Sequence, residues 1–208
     1  MTGADRGSAL ERVARWCELE LTGVMRAQLA EFEGWLSTEA IASGGVGPGE
    51  AERVVERHLA DSLSFARPLR GRAVPTLVDL GSGSGLPGIP LAIVLPATRV
   101  TLVDRGGRRV DLAERAQRVV GIDNVTVIQG DLRNPVARFD AVTMRAVLAP
   151  MEAVGAVRKW LAPGGIGVVG LSRGTAPPAD APSGRGLDIV GVPADVLDSP
   201  GWLLTIRS

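Results

Sequence analysis

Asp79, Gly81, Gly83 and Gly85 occupy alternate positions at the end of a short apolar run, in the stretch TLVDLGSGSGLPGIPLAIVLP at 76–96. Glycines at that spacing let a backbone approach a ligand closely and adopt positive φ where a Cβ would interfere. An acid immediately before them can hold an ammonium, directly or through water. A second acid, Asp104, closes the run RVTLVD 19 residues after Gly85, where a carboxylate can grip both hydroxyls of a ribose. A third, Asp131, follows the run ending Val127-Ile-Gln-Gly130; an acid or backbone group there can meet an adenine amino group, although Asp131 serves equally well as a helix cap. Three run-ends converge on one adenosyl ligand that carries an amino acid, which describes S-adenosyl-L-methionine. Gly83-x-Gly85-x-x-Gly88 also matches the dinucleotide pattern. In that register, however, two residue pairs separate the pattern from the strand and Pro87 falls inside it, so a dinucleotide oxidoreductase is disfavoured.

Arg145 ends a fourth run, FDAVTMR, over the same crevice, where its guanidinium can pair with a methionine carboxylate or an RNA phosphate. It is the one residue to which a direct part in transfer is assigned. His58 and Cys17 are the sole histidine and cysteine. Neither has a partner for nucleophilic catalysis, and no metal is expected. His58 reads most simply as a hydrogen-bonded structural histidine. The fourth run leads into Met144-Arg145-Ala146-Val147 rather than the Asn/Asp-Pro-Pro-aromatic tetrad of exocyclic-amine methylation, and Cys17 lies far from any site as a nucleophile for C5 methylation.

These residues need a scaffold that presents run-ends side by side. From residue 75 onward, β-branched runs at 77–80, 98–104, 124–129, 140–144 and 166–171 alternate with helical patterns at 89–95, 108–120 and 150–161. Strict alternation implies βαβ units and a parallel sheet covered on both faces. After a proline- and glycine-rich loop at 172–186, runs at 188–192 and 202–207 predict a closing antiparallel hairpin. Before residue 75, Leu10, Val13, Ala14, Cys17, Leu21, Val24, Met25 and Leu29 recur at three- and four-residue spacing, with Phe32, Trp35 and Leu36 extending the pattern. That predicts one amphipathic helix. The loop SGGVGPGE at 43–50 separates it from a second helical stretch through Val54, Val55, Leu59, Leu63 and Phe65. The expected organisation is a helical cap over 1–74 and an α/β domain, Rossmann-like, over 75–208.

Composition narrows the function classes. With 23 basic and 23 acidic side chains the whole-chain charge is zero, which gives no general attraction to nucleic acid. The segment 99–145 nevertheless carries nine arginines against six acids. Were the partner an RNA, which is reached by shape and phosphate contacts, Arg105, Arg108, Arg109, Arg133 and Arg145 would be its candidate clamps. The N-terminus lacks the apolar core of a signal peptide and no run approaches the roughly 20 residues that span a bilayer. A cytoplasmic location without membrane association is therefore expected. Nothing in the pattern bears on oligomeric state.

The segments ERHLADSL (56–63), VDLGSGSGLPGIPLAI (78–93), TLVD (101–104), FDAVTMRAV (139–147) and LAPGG (161–165) occur in this order and spacing. Together they resemble the small-subunit ribosomal RNA guanine-N7 methyltransferase family, also called glucose-inhibited division protein B. The resemblance implies a class I methyltransferase fold, S-adenosyl-L-methionine as methyl donor, and ribosomal RNA or the small ribosomal subunit as partner. It places cofactor contacts on Gly81, Leu86, the backbone of Leu132 and Arg133, and Arg145. Two departures bear on the acceptor. Asp131-Leu132-Arg133 stands where the family usually shows an arginine, a small residue and an acid, and Ser172-Arg173-Gly174 stands where it tends to carry a lysine-glycine pair. A methyltransferase of this fold acting on a small molecule, and a non-catalytic adenosyl-binding module, are the alternatives.

Overall fold

The computed structural model describes residues 3–145 and 147–208. Met1, Thr2 and the Ala146 that the resemblance includes lie outside the described residues.

The apolar runs form strands β1 (Thr76–Leu80), β2 (Arg99–Asp104), β3 (Val125–Gln129), β4 (Phe139–Arg145), β5 (Leu161–Gly170), β6 (Leu187–Val192) and β7 (Gly201–Arg207). They make one sheet in the order β3-β2-β1-β4-β5-β7-β6. The first five strands are parallel, and β7 is antiparallel to both β5 and β6. This is the predicted five-stranded core with its hairpin. The alternation of side chains sorts each strand between two cores. Leu77, Val100, Leu102, Ala141 and Val168 face one side, whereas Val78, Leu80, Val103, Val142, Met144 and Val169 face the other.

Helices α4 (Gly88–Val94) and α5 (Gly107–Val120) cover the first face, and α6 (Pro150–Trp160) covers the second. In α5 the buried positions Leu112, Ala113, Ala116 and Val120 follow the helical period, and the helix stops at Gly121, whose φ of 66° is the left-handed C-cap. The Asn124 amide then donates to the carbonyls of Ala92 and Thr98, at 3.0 Å each, tying the entrance of β3 to the neighbouring connection.

The N-terminal pattern folds as two helices rather than one. Helix α1 (Gly3–Cys17) ends where Glu18 turns to φ 56°, and α2 (Gly23–Trp35) restarts behind Thr22, whose hydroxyl accepts from the Met25 amide at 3.2 Å. The Glu18 carboxylate is held at this bend by Arg67 and Arg70. The helical period runs through the bend almost unbroken because both helices bury their apolar faces on the same core, so periodicity alone does not reveal it. Further along, a π-helical stretch Val54–Ala60 passes directly into α3 (Asp61–Ser64). Val13, Cys17, Phe32 and Leu59 join Leu77, Leu91 and Leu112 in one buried cluster, so the helical segment shares its core with the sheet.

Candidate functional site

The order β3-β2-β1-β4 reverses direction at β1, which leaves a crevice beyond the carboxyl ends of these strands. A cavity of about 710 Å³ opens there. Its floor is the turn after β1. The Gly81 and Ser82 amides both donate to the Val103 carbonyl, at 2.8 and 3.2 Å, which folds the turn back over β2. Gly81 has φ 72°, and a Cβ on it would stand 2.5 Å from Val147 Cγ2. Gly83 has φ 56° with nothing within 4 Å of its Cβ direction, so the chain is bare where it meets open space.

Asp104 forms the next wall. Its carboxylate is almost wholly buried and accepts from the Gly83 amide at 3.1 Å and the Gly106 amide at 2.9 Å, with the Arg109 guanidinium 3.7 Å away. The carboxylate thus ties the ends of β1 and β2 to each other while lining the cavity. On the third side the chain turns at Asp131, whose Oδ1 accepts from the Arg133 amide at 2.8 Å. The Trp160 indole N–H donates to the Leu132 carbonyl at 2.6 Å and anchors that turn on α6. Leu86, Asp131, Leu132 and Arg133 all line the cavity.

Two expected contacts take other roles. Asp79 lies wholly buried beneath the turn and does not reach the cavity. Its Oδ2 accepts from the Gly88 amide at 2.9 Å and its Oδ1 from the Thr143 hydroxyl at 2.8 Å. Burial pushes its carboxyl up to about 6, against the pull of the Thr143 and Gly88 hydrogen bonds. In this structure the carboxylate expected to hold an ammonium braces the turn, α4 and β4. Gly85 also faces inward: a Cβ there would stand 2.5 Å from Ile89 Cδ1, so it allows α4 to pack rather than a ligand to approach.

The fourth wall, residues 44–47, comes from the loop between helical stretches. Sequence reasoning treats that loop only as a connector. The Arg108 guanidinium donates to the Ser43 carbonyl at 2.5 Å and the Ser84 hydroxyl to the Gly45 carbonyl at 3.4 Å, which draws the loop over the cavity. Its run of glycines is the one signal that a close approach was required.

Arg145 stands between this cavity and a second one of about 760 Å³, beyond the ends of β4 and β5. His58, Arg145 and Leu148 line both, and Phe65, Arg173 and Trp202 line the second alone. Arg145 Nη1 lies 3.4 Å from both Asp61 Oδ2 and the Arg57 carbonyl, and Nη2 lies 3.5 Å from His58 Nδ1. His58 Nε2 lies 3.5 Å from Glu50 Oε2 without hydrogen-bond alignment. Burial, reinforced by the Arg145 guanidinium, pulls the imidazole down to about 4, so His58 is neutral at ordinary pH. Arg173 binds the other oxygen of Asp61, at 3.3 Å, as well as Asp198 and the Glu56 carbonyl, at 3.0 Å.

Cys17 is buried beside the Leu63 carbonyl, with burial raising its thiol to about 12, remote from both cavities. Among the described residues no group of three or more His, Cys, Asp or Glu could hold a metal ion, and no helix is long and apolar enough to cross a membrane.

The sheet order, the bare turn after β1 and the acid at the end of β2 define a Rossmann-like class I methyltransferase fold. Solved structures share it: MtNAS in complex with MTA and tNA superposes with a TM-score of 0.57 at 19% identity, covering 88% of this chain and 71% of that one. A mutant of MtNAS in complex with S-adenosylmethionine gives 0.56 at 19%, over 88% and 72%. At this identity the likeness concerns the fold. The chain belongs to the rRNA small subunit methyltransferase G (GidB) family, whose model matches residues 25–175. Relatives described as ribosomal RNA small subunit methyltransferase G include that of Aromatoleum aromaticum, 36% identical over 153 residues, 71% of this chain and 72% of the relative. That of Frankia casuarinae is 34% identical over 80% of this chain and 63% of the relative. The match to the Bacteroides fragilis protein, 38% identical, spans 55% of each, so the aligned part is little more than half of that relative's length.

Proposed function

We propose that this chain transfers a methyl group from S-adenosyl-L-methionine to N7 of a guanine in small-subunit ribosomal RNA. The observation that carries the reading is the pair of cavities that meet at Arg145, one walled by the bare glycine turn and Asp104, the other opening beyond β4 and β5. Family membership supports ribosomal RNA as the acceptor.

The residues of the first cavity fit the donor. The Ser82 hydroxyl is buried with no hydrogen-bond partner in the protein, in the wall of the cavity, and so has capacity for a ligand atom. Gly83 leaves room for close approach, with nothing within 4 Å of its Cβ direction. Asp104 retains lone pairs for ribose hydroxyls beyond the two amides it already binds. The turn 130–133 would border the adenine, and Arg145 would meet the methionine carboxylate. Bound there, S-adenosyl-L-methionine supplies an electrophilic methyl carbon on a sulfonium.

The remaining chemistry asks little of side chains. The N7 lone pair forms the new bond while the S–CH3 bond breaks, its electron pair staying on sulfur, and no proton has to leave. A general base is unnecessary, in keeping with a neutral, buried His58 and an inert Cys17. The protein's task is to hold the base close to the methyl carbon and in line with sulfur. The second cavity is large enough for a base turned out of its stack, with Phe65 and Trp202 in its walls. Arg105, Arg109 and Arg133 line the first cavity and would bind flanking phosphates.

The test is transfer of labelled methyl from the donor to small ribosomal subunits or their purified RNA, beside a pool of cellular metabolites. Label in RNA supports the reading. Label confined to a metabolite, or none at all with donor bound, contradicts it.

A further inference from the structure

The segment Arg57-His58-x-x-Asp61-Ser62-Leu63 stands out in the sequence, yet none of it is assigned a part in binding donor or acceptor above. In the fold it packs directly behind the junction of the two cavities. Asp61 begins α3 with a side chain about one-fifth exposed, and each of its oxygens faces a different guanidinium. Oδ2 meets Arg145, which borders both cavities; Oδ1 meets Arg173, which borders only the second.

Resting on the function proposed above, we propose that Asp61 is a positioning residue that splits these two arginines, holding Arg145 toward the donor and Arg173 toward the acceptor. Two guanidinia beside one another repel, and a carboxylate between them, bonded to each, fixes their separation and direction. Other contacts narrow the choice of orientation. Arg145 is further fixed by the Arg57 carbonyl and His58 Nδ1, and Arg173 by the Glu56 carbonyl and Asp198. Glu56, Arg57, His58 and Asp61 lie within six consecutive positions, so one helical stretch orients both cations.

Charge gives a reason for the device. During transfer the positive charge passes from sulfur to the methylated guanine ring. Two arginines unbalanced by Asp61 would oppose a cation on either side of the junction. Paired with it, they stand at the junction in fixed orientation and at lower net charge. Arg173 stands where the family tends to carry lysine, and its planar fork is suited to bonding Asp61 with one nitrogen and Asp198 with the other.

Double-mutant cycles test this. Asp61→Asn is expected to weaken S-adenosylhomocysteine binding, read by calorimetry, and to raise KM for ribosomal RNA, each by about fivefold to tenfold. Added to Arg145→Gln it should cost donor-side affinity less than about a further twofold, and added to Arg173→Gln it should do the same for acceptor KM, because each pair acts as a unit. A purely structural Asp61 would give multiplicative losses in both cycles and lower the thermal midpoint without coupling; that outcome, or unchanged constants in Asp61→Asn, overturns the proposal. Should Asp61→Asn not fold, Asp61→Glu, which moves the charge by one methylene, takes its place in the same cycles with the same criteria. The calorimetric arm needs no acceptor, so failure of RNA methylation leaves it readable, whereas no ligand binding by the unaltered chain overturns the donor site and this proposal together.

Discussion

Asp79→Asn separates a carboxylate that holds the cofactor from one that braces the fold. In the structure both oxygens of Asp79 are committed inside the protein, to the Gly88 amide and the Thr143 hydroxyl. Asparagine can keep both links, its oxygen accepting from Gly88 and its amide donating to Thr143 once that hydroxyl rotates. What it removes is ionisation. The folded carboxyl is raised from 3.8 to about 6, so the folded state holds the proton where the unfolded chain has lost it. This group therefore contributes most below pH 3.8, and its contribution falls by about 3 kcal/mol as pH rises to about 6, then stays level. His58 acts in the opposite sense: lowered from 6.5 to about 4, it supports the fold above pH 6.5 and loses about 3 kcal/mol as pH falls to about 4. The two slopes offset each other in the unaltered chain. Urea unfolding at intervals from pH 4 to 8 should thus show Asp79→Asn gaining about 3 kcal/mol relative to the unaltered chain between pH 4 and 6, with S-adenosyl-L-methionine affinity at pH 7.5 within about twofold. A tenfold or greater loss of affinity, together with a pH-independent stability difference, would refute the assignment and return Asp79 to the binding site.

Other substitutions probe the turn and its supports. Gly88→Ala places a Cβ against Leu102 Cδ2 and 3.0 Å from Asp79 Oδ2, and the wholly buried Leu102 has little room to move; urea unfolding should show a loss of about 1–3 kcal/mol or more. Asp104→Asn leaves one strong acceptor for two backbone amides, and calorimetry should show donor affinity reduced at least about tenfold; unchanged affinity would remove Asp104 from the site. Because burial holds the Cys17 thiol near 12, a thiol reagent at pH 8 should modify it only after denaturant is added, and rapid labelling of the native chain would contradict the packing shown.

Much of the architecture was legible because it rests on local pattern. Alternation of β-branched runs and helical periods dictated the parallel core, and the register of Gly81 and Gly83 against Leu77–Leu80 put bare backbone at a strand end. Asp104 was found by position, since the end of the second strand must face the crevice. Asp79 is legible as an acid, but its burial away from the cavity is not. Sequence showed an acid beside glycines, whereas the direction of its side chain depends on strand parity and on Thr143, 64 positions away. The bend at Glu18 was hidden because both flanking helices keep one apolar face on the same core. The wall at 44–47 and the Arg145–Asp61–Arg173 group were out of reach for a like reason: long-range packing brings these residues together, and no spacing along the chain encodes that they touch.

On the function proposed above, the junction at Arg145 delivers methyl to N7 of a guanine in small-subunit ribosomal RNA. It is tested most directly by incubating the chain with donor and small ribosomal subunits or RNA lacking the modification, followed by borohydride reduction and aniline cleavage, which cut RNA at N7-methylguanine. Donor-dependent cleavage at a guanine is expected, with a matching gain of one methyl by mass and strong reduction of both with Arg145→Ala. Methylation of an atom other than guanine N7, or full modification by Arg145→Ala, would contradict it.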